Sequence, residues 1–227
     1  MTAARQLPVF DTMRSAWQQV SGTKAVFWSF LWLFIGLVFM LGFCAGLFRG
    51  TALAIVMQVV SKLALLLVSW MATYVGIQWV RYKSINVGMI WNVLSFPTIA
   101  RMICFYLLLV AISIPCVGII VFIGLSLSMP VVAGVLAGIV YVYVMFRLYF
   151  VRGIILGTQL SFWEGVKLSW KVSNGNVLRL IGFTACNILI IIASLIPFFL
   201  GAIWTLPYLY ISYAEACNRM VFAQDEI

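Results

Sequence analysis

Histidine is absent from this 227-residue sequence, and acidic side chains number only five. Zinc, iron and copper centres take their ligands from histidine, thiolate and carboxylate groups, so metal chemistry has almost nothing to draw on. The five cysteines (Cys44, Cys104, Cys116, Cys186, Cys217) lie scattered through apolar segments with no CxxC pair. They read as small apolar side chains. A P-loop, a dinucleotide fingerprint, a serine elbow and a metal motif are all missing as well. The expectation is a protein that is not an enzyme and carries no catalytic residues, metal or cofactor.

Charge is scarce too. Charged residues make up 8% of the chain, against about 25% in a soluble domain. What takes their place is apolar: hydrophobic residues reach 65%. Water would have to solvate far more apolar surface than folded soluble proteins tolerate, whereas a bilayer accepts it provided each segment satisfies its own backbone as a helix.

Runs of about 20 apolar residues, the length that crosses a bilayer, divide the chain into six segments. They run over residues 25–48, 52–80, 102–125, 130–151, 180–196 and 198–222. The first is followed by further apolar runs and by no small-residue cleavage site, so it reads as a span and not as a removed signal. Pro115, Pro197 and Pro207 are expected to break their spans, either as plain kinks or, as in many transporters, to line a path. Gly134 and Gly138 form a GxxxG on the fourth segment, a face suited to close packing against another helix or a second copy.

The net charge of +9 finds its explanation in topology. Arg5, Arg14 and Lys24 precede the first span, Arg81, Lys83 and Arg101 follow the second, and Arg147, Arg152, Lys167, Lys171 and Arg179 gather around the fourth and fifth. Arg219 lies in the last, and Arg49 stands alone on the other side. Basic residues favour the cytoplasmic side, which places both termini in the cytoplasm. Anionic headgroups there are the expected partner, with a protein partner or homo-oligomer alongside and no nucleic acid. The nine tryptophans suit the interfacial belts of a membrane protein.

Three connecting stretches carry apolar residues at helical spacing. Phe10, Met13, Trp17 and Val20 form one, Ile85, Met89, Ile90, Val93 and Leu94 a second, and Phe162, Val166, Ser169, Trp170 and Ser173 a third. Each reads as a short amphipathic helix on the membrane surface. Trp17 and Trp170 are each followed five residues later by glycine, Gly22 and Gly175, and Trp91 holds the corresponding place between them. This predicts a single membrane domain over 1–227 with a threefold repeat of surface helix plus hairpin, at 8–80, 84–152 and 160–222. The fold class is therefore all-α: a polytopic bundle of about six transmembrane helices with three short amphipathic surface helices.

The stretch Leu160-Ser161-Phe162-Trp163-Glu164-Gly165-Val166-Lys167-Leu168-Ser169-Trp170-Lys171-Val172-Ser173-Asn174-Gly175-Asn176-Val177-Leu178-Arg179-Leu180 resembles a segment of bacterial inner-membrane proteins of the YciC-like type. It is similar also to the membrane domain attached to some glycerophosphodiester phosphodiesterases. In those proteins a surface helix, then a Ser-Trp, Gly-Asn, Arg-Leu pattern and a final hairpin follow the fourth span. Specific similarity covers about residues 150–185, while the arrangement of helices suits the whole chain. The resemblance implies a fold and an inner-membrane location. It implies no enzymatic activity, since the phosphodiesterase's acidic and histidine residues have no counterpart here.

Few side chains remain as functional candidates. Lys62 lies well inside the second span, where charge is costly, with Gln58 one turn earlier on the same face. The pair either lines a polar path or binds a lipid phosphate, or Lys62 simply snorkels to the headgroups. Trp17, Trp91, Trp170, Lys167, Lys171 and Arg179 are the candidate lipid contacts at the cytoplasmic face. Glu215 and Arg219, four apart, are a candidate structural ion pair, and Asn187 has the position of an interhelical hydrogen-bonding residue. Two functions follow: a non-catalytic scaffold or accessory protein that engages lipids or a partner through its surface helices, or a small transporter or lipid-handling protein with a polar path near Lys62.

Overall fold

The computed structural model describes residues 6–83, 88, 93–127, 130–196 and 201–222. Eight α-helices make up the described chain, with no strand among the described residues. They are α1 (Val9–Leu47), α2 (Ala52–Tyr82), α3 (Phe96–Leu127), α4 (Pro130–Arg147), α5 (Val151–Gly157), α6 (Phe162–Val172), α7 (Val177–Leu195) and α8 (Ala202–Met220). Four stretches are long and apolar enough to cross a membrane: Ala52–Tyr82, Phe96–Cys116, Gly134–Gly157 and Val177–Leu195. By length and composition this is a helical membrane protein.

Contacts divide the chain into two compact units, one of Asp11–Val93 and Leu189–Ala216, the other of Met1–Phe10, Leu94–Ile188 and Cys217–Ile227. In the first, α1 and α2 form a hairpin. Its turn closes where Thr51 N–H donates to Phe48 O at 3.1 Å. Gly50 sits at φ +85°, a backbone conformation that glycine adopts without strain. Thr51 then caps α2 by accepting from Ala54 N–H. The register is fixed at the far end, where Gly22 lies against the Trp79 ring so closely that a Cβ would stand 2.5 Å from it. Gly76 is in the same situation against the backbone oxygen of Tyr210, at 2.8 Å. Small residues on α1 and α2 thus let α2 and α8 approach closely.

The core of this unit gathers at the end remote from the turn. Thr12, Ala16, Val20, Thr23 and Phe27 of α1 are buried, as are Val68 and most residues of α2 between Trp70 and Val80, with Tyr208, Ile211 and Ala214 of α8. Toward the turn the hairpin is bare: Phe39 is 74% exposed, Met40 66%, Leu47 67% and Ile55 66%. Leaving each such side chain in water forfeits about 1.5–3 kcal/mol of burial energy, a cost that hydrocarbon removes. The 39 residues of α1 run ~58 Å at 1.5 Å each, about twice the ~30 Å core of a bilayer. One half therefore suffices for lipid, while the other carries the packed core.

This corrects the first of the three expected surface helices. Residues 8–20 are not a separate element but the start of α1. The buried stripe is Thr12, Ala16, Val20, Thr23 and Phe27, whereas Phe10 is 79% and Trp17 52% exposed. Small side chains win the inner face because they admit neighbouring helices. The second expected surface helix, with Trp91, lies almost wholly outside the described residues. The third is present as α6.

In the second unit α3 packs against α4 as a hairpin, and the N-terminal part of α3 also meets α5 and α6. Met102, Phe150, Val151, Ile154, Leu180, Phe183, Cys217 and Met220 form the core, while Val131, Val135, Ile139 and Val140 of α4 stay exposed. The fourth expected segment ends earlier than its apolar run: α4 stops at Arg147, a turn follows, and α5 resumes at Val151. Nothing lies within 4 Å of where a Cβ would sit on Gly134 or Gly138, so no described helix of this chain uses that GxxxG face.

At two of the three prolines the helix is not interrupted, which leaves a kink and removes a full break. α3 continues through Pro115 and α8 through Pro207. A proline inside a helix removes one N–H and frees the carbonyl four residues earlier. For Pro207 that carbonyl belongs to Ile203, and it accepts from Trp28 Nε1–H at 3.0 Å. The tryptophan side chain replaces the missing backbone donor. Pro197 lies outside the described residues.

Candidate functional site

Three groups of polar side chains stand out against this apolar background. The first explains most of the 160–180 motif. Ser161 opens α6 with a capping box, its hydroxyl accepting from Glu164 N–H while the Glu164 carboxylate accepts from Ser161 N–H at 2.9 Å. Those hydrogen bonds from the Ser161 hydroxyl and backbone, with Lys167 nearby, hold the Glu164 carboxyl below its ordinary range. On the inner face Gly165 rests on Ile154, and Ser169, Val172 and Ser173 are buried.

Ser169 Oγ donates to the backbone oxygen of Arg147 at 2.9 Å and Ser173 Oγ to the same oxygen at 3.4 Å. Arg147 returns the contact with its side chain. Its Nε donates to Tyr143 Oη and its guanidinium to Trp170 O, both at 3.0 Å, and it lies 4.8 Å from the centre of the Trp170 ring. Arg147 is only 8% exposed, and two acceptors and a ring face take the place of the water its guanidinium would otherwise bind.

Past the turn, where Gly175 takes φ +74°, the motif reaches back to the N-terminal segment. Asn176 Oδ1 accepts from Leu7 N–H at 3.0 Å. Arg179 donates to Leu7 O at 3.5 Å and also to Gln6 Oε1. Leu7 itself is buried. The Ser-Trp, Asn and Arg positions thus hold α6 to α4 and tie down the segment before α1. Arg179, a candidate lipid contact by sequence, is half-buried and engaged in that tether.

Besides the capping Glu164, which is exposed, the outward side of α6 carries Trp163, 63% exposed, with Trp170 at 41%, and the exposed Lys167 and Lys171. Spacings of four, three and one residue put all four within one side of the helix. Two indole rings and two ammonium groups therefore share a solvent- or headgroup-facing surface.

The second group surrounds Glu215, which is 6% exposed. Its carboxylate accepts from Ser15 Oγ at 3.1 Å and from Gln19 Nε2 at 3.4 Å. Lys83 Nζ donates to Gln19 Oε1 at 2.5 Å, extending the chain of hydrogen bonds to the exposed end of α2. Arg219, one turn on, is half-buried near the end of α8. The sequence suggested Arg219 as Glu215's partner and missed Ser15 and Gln19. The available signal was their own spacing, two polar residues four apart on one face of α1. Nearby, Trp17 stands edge-on to Tyr208 with ring centres 5.3 Å apart, and Lys24 lies over the Trp204 ring at 4.8 Å. Asn187 is buried but donates within its own helix, to Phe183 O at 3.0 Å.

The third group is Lys62 and Gln58. Both are exposed, on the part of α2 whose neighbours Ile55, Val59, Leu63 and Leu66 are exposed as well. Neither has a hydrogen-bond or ion-pair partner among the described residues. Among the described residues no three histidine, cysteine or acidic side chains come together in a group that could hold a metal ion. No family model, curated protein or solved structure matches this chain.

Proposed function

We propose that the protein is a non-catalytic scaffold or accessory protein of a bacterial inner membrane, crossing it about six times with both termini in the cytoplasm. In this reading the exposed parts of α1 and α2, of α3 and α4, and of α7 and α8 lie in lipid. The packed ends, with most of the basic residues, lie at the cytoplasmic surface. The YciC-like resemblance of residues 160–180 supports the same location.

The observation that carries the reading is the outward face of α6. Trp163 and Trp170 supply amphipathic rings suited to headgroup depth. Lys167 and Lys171 each add about 1 kcal/mol of attraction near an anionic surface. The motif's small polar residues, by contrast, face inward and serve as tethers. The polar-path alternative needs Lys62 and Gln58 to line a channel, and their open exposure supports contact with something outside the chain instead.

The test places a polarity-sensitive fluorophore at position 163 of a cysteine-free variant, reconstituted in nanodiscs of zwitterionic lipid with or without phosphatidylglycerol. Anionic lipid is expected to shift the emission to the blue, and Lys167→Glu with Lys171→Glu to abolish that shift. Identical spectra in both lipids would sink the reading.

A further inference from the structure

Arg147 holds more hydrogen-bonding capacity than the chain uses. A guanidinium carries five N–H donors in a fixed fork and no acceptor. Nε donates to Tyr143 Oη and Nη1 to Trp170 O. The second N–H of Nη1 and both of Nη2 have no acceptor among the described residues, and no carboxylate there lies within ion-pair reach. Enclosing a cation without a counter-charge is costly, and Arg147 is only 8% exposed. None of its nitrogens is both wholly buried and unpaired, so the unused Nη2 reaches the surface.

The surroundings of that nitrogen favour an anion. Nε–H and one N–H of Nη2 point the same way in the fork, so the Tyr143 hydroxyl, bound to Nε, stands beside Nη2. It accepts from Arg147, and its own O–H has no acceptor among the described residues. The guanidinium carbon lies 4.8 Å from the centre of the Trp170 ring and 5.3 Å from that of Tyr143. Both of those residues are exposed, as is Lys171 beside Trp170. The carbonyl ends of α4 and α6 would repel an anion if they were bare. They are capped instead: Arg147 O accepts from Ser169 and Ser173, and Trp170 O from Arg147.

We infer that Arg147 and Tyr143 bind a phosphate group beside the Trp170 ring, with Lys171 adding charge. Nη2 and the spare N–H of Nη1 engage one or two phosphate oxygens, and the Tyr143 hydroxyl donates to another. The bonds from Nε and Nη1 that anchor α6 stay in place. A tetrahedral phosphate offers oxygens outside the guanidinium plane, which a flat carboxylate does not. Its source is the phosphodiester of an anionic lipid or free phosphate in solution. The 18 residues of α4 from Pro130 to Arg147 run ~27 Å, close to the ~30 Å core of a bilayer. With Pro130 at one headgroup level, Arg147 comes to the other. This deepens the lipid-surface reading of α6 and rests on it for the lipid source.

The test uses the full chain in maltoside micelles, where an added probe is the only source of phosphorus, and reads binding by phosphorus NMR. The probes are short-chain phosphatidylglycerol and inorganic phosphate. Saturable broadening is expected for at least one of them, and which one identifies the source. Tyr143→Phe should weaken that binding about tenfold, the scale of one hydrogen bond to a charged group. Arg147→Met should remove it. Tyr143→Phe is the deciding variant, because Arg147→Met also loses the anchoring bonds, and thermal unfolding confirms that it folds. Affinity unchanged in Tyr143→Phe overturns the proposal, as does the absence of saturable binding for both probes. Acetate that competes as well as phosphate also overturns it. A normal response of the α6 fluorophore with no Tyr143-dependent binding removes only the phosphate site. Tyr143-dependent binding with a silent fluorophore removes only the lipid-surface reading.

Discussion

Arg147 is the side chain on which the second unit should depend most. It is buried, donates to Tyr143 Oη and Trp170 O at 3.0 Å each, and faces the Trp170 ring. Hydrogen bonds from a charged donor contribute about 1.5–3 kcal/mol each and a desolvated cation–π contact about 2 kcal/mol. Against this stands the cost of burying the guanidinium, several kcal/mol, which Arg147→Met abolishes. The gross loss of about 5–8 kcal/mol is thereby cut to a net destabilisation of about 2–4 kcal/mol, part of it from the unpaired Trp170 carbonyl. Tyr143→Phe removes one acceptor and should cost about 1–1.5 kcal/mol. Cys217, at 0% exposure in the same core, supplies the assay. With the other four cysteines replaced, a thiol-reactive dye reports only unfolding, and Arg147→Met should melt roughly 5–10 °C below the parent. Melting of Arg147→Met within 1 °C of the parent would refute the assignment of Arg147 as the anchor of α6.

Asn176→Ala removes the acceptor of the buried Leu7 N–H and should cost about 1–2 kcal/mol. The Leu7 amide should then exchange about tenfold faster while Phe183 keeps its protection. Gly76→Leu would drive a Cβ to 2.8 Å from the Tyr210 backbone oxygen, a clash no rotamer relieves, with a destabilisation of about 1–3 kcal/mol measured as faster amide exchange over residues 71–80 of α2. Glu164 has its carboxyl held below the ordinary value of 4.5. Its contribution to the α6 start is therefore complete above that pH and is lost as pH falls through the lowered value. Amide exchange at Ser161, corrected for intrinsic rate, should rise in acid, and Glu164→Gln should abolish that dependence.

Element boundaries were legible wherever composition changes abruptly. The Arg49-Gly50-Thr51 turn and the start of α2 at Ala52 follow from a charge, a glycine and a capping threonine set between apolar runs. So does α6, announced by Ser161 and Glu164. What periodicity did not reveal was which stripe faces inward. Phe10 and Trp17 carry the larger apolar side chains, yet the smaller Thr12 and Ala16 are buried, because close helix contact favours small residues where the outer solvent is apolar. The effect of proline was hidden for a related reason. Pro207 removes a donor, but a helix survives when another donor is at hand, and Trp28 is 175 residues away in sequence. Partners of Glu215 were hidden in the same way, since Ser15 lies 200 residues from it.

Burial and polarity together assign the parts of this chain to different tasks. In a soluble protein the most apolar segments form the core and the polar ones the surface. Here two long apolar stretches, residues 36–47 and 52–66, are among the most exposed. The buried centres hold Thr12, Thr23, Thr73, Ser169, Ser173, Asn176 and Glu215. That inversion follows from the solvent. Apolar side chains gain little by leaving hydrocarbon, so packing inside a membrane protein comes from small residues and hydrogen bonds. Large side chains are buried beside them, Trp70, Phe150 and Phe183 among these. Lys62 is the exception to both regimes, a charge on the bare apolar half with Gln58 and Ser61 as the polar residues beside it along the helix.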